Sequence, residues 1–216
     1  LAGTHAEVTV VADSSLSPVS ASNVIGTVPG TDRSAPPIVV MTPRSGWWNC
    51  ASERGGGIAC WLEIARSVAS AGLRPDVVFL ASTAHELGYW GLAQFLASRG
   101  QLATEARLWL HLGASVGAAL QPQPRLFASS DELEAEALGA LRRAGAPQVT
   151  PAPRAARPGG ESRNIYDAGG RYISLLGGSE VFHLEADRWP DAVSVNAVAA
   201  IAVACATIVE NSSNHN

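Results

Sequence analysis

Short runs rich in β-branched and aromatic residues alternate along this chain with stretches whose apolar residues recur every three or four positions. Val8-Thr9-Val10-Val11 reads as a strand, and so does Asn23-Val24-Ile25-Gly26-Thr27-Val28, which Pro29-Gly30 stops. Residues 37–42 form a continuous apolar run, as expected of a strand covered on both faces. Residues 57–71 are helical in period, with Ile58, Trp61, Leu62, Ala65 and Val68 on one side and Gly72 as the closing cap. Residues 76–81 predict another buried strand, 92–98 a short helix ending at Gly100, and 107–112 a further strand. Residues 131–144 predict a helix whose acidic first turn and Arg142-Arg143 last turn match the helix dipole. Strands alternating with helices point to a three-layer α/β/α fold with a mixed, largely parallel central sheet.

The run 192–209 is long and apolar. It is dominated by alanine and interrupted by Ser194, Asn196 and Thr207, so it reads as a buried C-terminal helix rather than a transmembrane segment. The polar tail beyond it contains Asn211-Ser212-Ser213, a triplet with the form of a glycosylation sequon that is common by chance. Residues 147–162, with Pro151, Pro153, Pro158, Gly159 and Gly160, read as a loop too short to separate two domains. Residues 1–216 are therefore expected to form a single domain, excised from a longer chain because the sequence opens at Leu1 without methionine.

Composition narrows the function. The chain has 15 basic and 19 acidic residues and a formal charge of −4, so it carries no nucleic-acid footprint. Every basic residue is arginine. Cys50, Cys60 and Cys205 are too few for a disulfide scaffold and leave the redox compartment open.

Three motifs could carry chemistry. Gly113-Ala114-Ser115-Val116-Gly117 has the G-x-S-x-G form, but Pro122 and Pro124 forbid the long helix a nucleophile elbow requires. His85-Glu86 follows the strand 76–81, where open α/β sheets bind ligands. His183, shortly after a strand and close to Glu185 and Asp187, suits a metal ligand with a supporting carboxylate; equally, Asp187 suits the N-terminus of the next helix.

Taken in order, four segments resemble the zinc aminopeptidases with paired metals, metallopeptidase family twenty-eight. Its members include secreted bacterial aminopeptidases, glutaminyl cyclases and the transferrin-receptor ectodomain. The segments are Asn23-Val24-Ile25-Gly26-Thr27-Val28-Pro29-Gly30, the helix opening Gly57-Ile58-Ala59-Cys60-Trp61-Leu62-Glu63, Glu86-Leu87-Gly88-Tyr89-Trp90-Gly91, and Gly177 to His183 followed by Asp187. The resemblance implies the three-layer fold and a two-metal peptidase site, but the ligands transfer unevenly. The first histidine falls on Pro43 and its supporting aspartate on Ser45. The bridging aspartate falls on Glu53, whose extra methylene moves the carboxylate by roughly 1 Å at a site with ligand distances near ~2.1 Å. The adjacent glutamates, base then ligand, fall on His85 and Glu86. A further aspartate falls on Gly113, and the last histidine survives as His183.

One metal thus loses its own ligands at Pro43 and Gly113. The resemblance leaves Glu53, Glu86 and His183 as the set that could hold a single zinc, with His85 at the general-base position. The leading expectation is a pseudopeptidase without cofactor, having a binding or structural role. The alternatives are a mono-zinc peptidase or glutaminyl-cyclase-like enzyme, and a peptide-binding module that keeps the substrate cleft. Trp47 and Trp48 are expected at the site entrance, as an apolar wall or as a plug of the vacated metal volume. Arg44, Arg163 and Asn164 are expected to line the same cleft. An arginine, from among Arg44, Arg54 and Arg163, is expected to replace the missing metal electrostatically. A peptide or protein partner and a secreted or extracytoplasmic location follow from the family alone.

Overall fold

The structure is a computed structural model that describes residues 7–15 and 17–214. Seven strands form one sheet: β1 (Val24–Val28), β2 (Ile38–Pro43), β3 (Val77–Ser82), β4 (Leu108–Leu112), β5 (Arg125–Ala128), β6 (Thr150–Pro151) and β7 (Tyr172–Leu176). Their order is β1-β3-β2-β4-β7-β5-β6. β3, β2, β4 and β7 run parallel, and β1 and β5 are antiparallel to their neighbours β3 and β7. The sheet is mixed with a parallel centre, as the alternation predicts.

Period-two alternation splits the strand residues between two cores. Val40, Phe79, Leu110 and Ile173 face α1 (Gly56–Val68), α4 (Asp131–Arg143) and α6 (Val195–Asn214). Val39, Leu80, Trp109 and Tyr172 face the other side, which is covered by α2 (Trp90–Ala97), α3 (Leu102–Glu105) and α5 (Ser162–Ala168). Three layers result because both faces of the central strands are apolar. α6 is long and apolar enough to cross a membrane by length and composition. Ala197, Ala202, Ala204, Ala206, Ile201, Cys205 and Ile208 are instead buried where it packs on α1 and α4. Ser212 and Ser213 are buried in the same helix, and Asn211 is half-buried.

Three expectations need correction, and one strand, β5, was not expected. Residues 8–11 do not form a strand: Val8, Val10 and Val11 are 78–86% exposed and lie outside the sheet, whose edge on that side is β1. The first long helix ends at Val68 with Ala69 as cap, and Gly72 lies in the following turn at φ +60°. The segment 147–162 is not wholly a loop, since Thr150–Pro151 pairs with β5. β5 itself, four residues between proline-rich flanks, carries too few positions for alternation to mark it.

Parallel strands bring their carboxyl ends to one edge, so the loops after β2, β3, β4 and β7 emerge together. α1 meets this edge closely. A Cβ on Gly56 would lie 1.8 Å from the Val116 carbonyl oxygen, so only glycine lets the helix start touch the turn after β4.

Candidate functional site

The turn before α1 builds the centre of the site. Residues Ala51–Gly55 form one π-helical turn, with the amide of Gly55 donating to the Cys50 carbonyl at 3.3 Å. The wider turn points consecutive side chains inward, leaving Glu53 1% and Arg54 2% exposed. Asp187, from the loop after β7, caps this turn: its two carboxylate oxygens accept the Ser52 and Glu53 amides at 2.7 and 2.9 Å. Asp187 thus serves the helix start at 52–53 rather than that of α6, and it draws the 183–187 loop over the site. His183, held at φ +62° and stacked on Phe182, brings Nε2 to 3.1 Å from Glu53 Oε1.

Arg54 spans the centre. Nη2 lies 2.9 Å from Glu53 Oε1 and 3.2 Å from Glu86 Oε1, and Nε donates to the Ser45 carbonyl at 2.6 Å. Ser45 Oγ donates to Glu86 Oε2 at 2.9 Å and accepts the His85 amide at 3.0 Å. Burial alone would raise the Glu86 carboxyl; its backbone and Ser45 hydrogen bonds and the Arg54 charge outweigh that and lower it.

His85 and Glu86 share a 3-10 turn entered through Ala84 at φ +54°. The two side chains diverge. Glu86 faces Arg54, whereas His85 Nδ1 sits 3.0–3.1 Å from both oxygens of Glu161. Glu161 is fully buried, accepts Ser82 Oγ at 2.9 Å, and lies 3.6 Å from His111 Nε2, an ion-pair rather than hydrogen-bond distance. Burial would raise its carboxyl too. The two histidines overcome this and hold it far below the ordinary carboxylate range. His111 Nδ1 meets Ser174 Oγ at 2.8 Å, while its Nε2 has no hydrogen-bond partner.

His111 also explains Gly113. A Cβ there would lie 2.8 Å from His111 Cε1 and 2.9 Å from Leu176 Cβ, so the imidazole occupies the space an aspartate side chain would need. Glu161 and His111 escaped the sequence reading. His111 reads as one more residue of a buried strand, and Glu161 as a loop acid after Gly159-Gly160.

The other expected residues divide. Trp47 and Trp48 are 53% and 66% exposed, and it is Arg54, not an indole, that lies between Glu53 and Glu86. Arg44 is exposed and donates to the Ser22 carbonyl at 2.7 Å, away from Glu53 and Glu86. Arg163 lies over the Tyr89 ring at 5.7 Å, and Asn164 is half-buried beside it in α5, its amide donating to Glu161 O at 3.1 Å. Of the three arginines, Arg54 reaches the carboxylates. Ser115, at φ +59°, is buried and donates its amide to Glu53 O at 3.2 Å; no helix follows it. Cys50, Cys60 and Cys205 are all free thiols.

Glu53, Glu86 and His183 do not fit a zinc ion in this arrangement. An ion shared by Glu53 and Glu86 would have to displace the buried guanidinium that contacts both. Among the described residues, no group of three or more His, Cys, Asp or Glu side chains is placed to hold a metal.

The fold is similar to that of zinc aminopeptidases. No protein-family model matches the chain, and no curated protein matches it in sequence. Solved structures do match. The zinc aminopeptidase of Bacillus subtilis superposes with a TM-score of 0.70 at 18% identity, covering 86% of this chain and 49% of that one. A peptidase M28 precursor from Shewanella amazonensis gives 0.69 at 18% identity, covering 90% and 45%. The gamma-secretase component nicastrin gives 0.71 at 13% identity, covering 90% and 44%. The chain therefore has a zinc aminopeptidase-like fold of the M28 type and spans about half the length of these structures.

Proposed function

We propose that this chain is a peptidase-like domain in which an arginine stands in for the paired metals, and that it acts as a binding or structural unit without cofactor. The observation that carries this reading is the Arg54 guanidinium, buried between Glu53 and Glu86 at 2.9 and 3.2 Å. A cation that cannot be exchanged neutralises the carboxylates but supplies no open coordination position and no activated water. The His111 ring beside Gly113 supports it from the other side, by filling the space of a second ligand.

A peptide or protein partner fits the same reading, because Trp47 and Trp48, in the segment between β2 and the turn that carries Arg54, stay exposed. An extracytoplasmic location is part of the proposal through the secreted members of the family that the sequence resembles.

Metal analysis of protein purified without chelators tests the proposal, alongside hydrolysis of aminoacyl-p-nitroanilides. The expected result is far less than one zinc per chain and no cleavage above background. One zinc per chain that disappears in Glu86→Ala and His183→Ala would overturn it in favour of the mono-zinc enzyme.

A further inference from the structure

Arg163 is a half-buried cation without a counter-ion among the described residues. Its Nε is buried with no hydrogen-bond partner, while Nη1 and Nη2 have no partner and are not enclosed. The acids close to it in sequence are committed elsewhere. Glu161 turns its oxygens to Ser82, His85 and His111. Asp167 feels the Arg163 charge but is clasped by Arg157. Arg99, Arg125, Arg142 and Arg143 also lack a carboxylate partner, but they are exposed and water solvates them. What holds Arg163 is Tyr89. The guanidinium carbon lies 5.7 Å from the Tyr89 ring centroid, and that ring lies 5.0 Å from the His85 ring at 65°. The Arg163 amide donates to the Gly160 carbonyl at 3.1 Å. A Cβ on Gly160 would lie 3.1 Å from His111 Cε1 and 3.7 Å from His85 Cε1, so the glycine loop closes on both histidines and carries Arg163 to the same edge.

We propose that Arg163, held over Tyr89, is a subsite for a carboxylate of a peptide partner. The proposal rests on the reading of this chain as a binding unit and names the chemistry one part of its site recognises. The open end of a guanidinium presents two parallel N–H donors, which match the two oxygens of a carboxylate in charge and spacing. Partial burial weakens the screening that makes exposed pairs nearly worthless. The aromatic shelf fixes the plane of the fork before the ligand arrives, so little side-chain freedom is lost on binding. Tyr89 is itself set at φ +62°, at the start of α2. The subsite flanks the ionic centre: His85 packs on Tyr89, and the next residue, Glu86, contacts Arg54 at 3.2 Å. His85 Nδ1 is engaged by Glu161, so the rings beside Arg163 are anchored from beneath.

Two pairs of peptides test it, titrated into the protein and followed by NMR shifts of backbone amides. The first pair is acetyl-Ala-Ala-Leu with a free carboxylate and its C-terminal amide. The second is acetyl-Ala-Glu-Ala-amide and its Gln counterpart. The acid of at least one pair is expected to bind ~10-fold or more tightly than its neutral partner. Preference in the first pair assigns the subsite to a chain terminus, and preference in the second to an acidic side chain. Arg163→Gln is expected to erase the preference, bringing the acid to the level of the neutral peptide. Arg163→Lys keeps the charge but not the fork and should restore only part of it. Tyr89→Asn, a residue that tolerates positive φ, should reduce the preference by releasing the guanidinium. Arg142→Gln, on α4 across the sheet, should leave it unchanged and so exclude a general charge effect. Circular dichroism checks that each variant folds. Equal binding of acid and neutral peptides, no binding of either acid at 20 mM, or a preference that survives Arg163→Gln would each overturn the subsite. Zinc content and aminoacyl-p-nitroanilide cleavage judge the metal-free reading separately, so the two can fail independently.

Discussion

Arg54→Met removes the charge at the centre of the site while keeping much of the side-chain volume. In the wild type the guanidinium contacts Glu53 Oε1 at 2.9 Å and Glu86 Oε1 at 3.2 Å, and donates to the Ser45 carbonyl. Arg54 and Glu53 are almost wholly buried, so their attraction is little screened. Glu53 Oε2 is already buried without a hydrogen-bond partner, so the variant leaves that carboxylate poorly compensated. Removing one member of such a buried pair costs about 3–5 kcal/mol, which for a chain of this length lowers Tm by roughly 10 °C. Urea denaturation at pH 7 measures the loss. A cycle with Glu53→Gln measures its origin, with an expected coupling of about 2 kcal/mol or more between the two positions. The pH dependence has a definite sign. The Glu86 carboxyl is lowered from its ordinary 4.5, so its contribution is present above that value and fades as pH falls through the folded one. Because Arg54 is one cause of that shift, the part of the loss that runs through Glu86 should shrink as pH falls below about 4.5. A loss under ~1 kcal/mol at pH 7, or strict additivity with Glu53→Gln, would refute the idea that the guanidinium neutralises this site.

Glu161→Gln keeps an acceptor for Ser82 but removes the anion between His85 and His111. Because the folded carboxyl lies far below its ordinary value, its stabilisation is present above the unfolded value near 4.5 and lost as pH falls. The variant should lose about 1–3 kcal/mol at pH 7 and show a shallower acid limb in denaturation from pH 5 downward. Gly113→Asp, which writes an aspartate back at the position the resemblance assigns to a metal ligand, should cost about 1–3 kcal/mol by collision with His111 and bring no zinc-dependent rise in Tm.

Local pattern was enough for most of the frame. Residues 38–42, 77–81 and 108–112 are strands because they are predominantly apolar runs, broken only by Thr42 and His111. α1 and α4 follow from their 3.6-residue periods. Val8-Thr9-Val10-Val11 has a strand's composition and no strand's structure, because pairing depends on a neighbour and not on propensity. The candidate residues were legible in part. Glu53, Glu86 and His183 could be placed in order along the chain, and so could the losses at Pro43 and Gly113. The partners that decide their chemistry lie far off in sequence: Asp187 is 135 residues from Ser52, and Glu161 is 76 from His85.

By itself the sequence determined the layers, the parallel centre of the sheet, and the positions, such as Pro43 and Gly113, that depart from the ligand pattern of the family it resembles. The tertiary structure decided what occupies their place. Arginine-rich composition could not say which of 15 side chains enters the site. A π-helical turn, capped by Asp187, buries Arg54 next to Glu53 and aims it at Glu86. The reason is physical: periodicity encodes which face of an element is buried, whereas charge neutralisation depends on distances of about 3 Å between groups that only folding brings together.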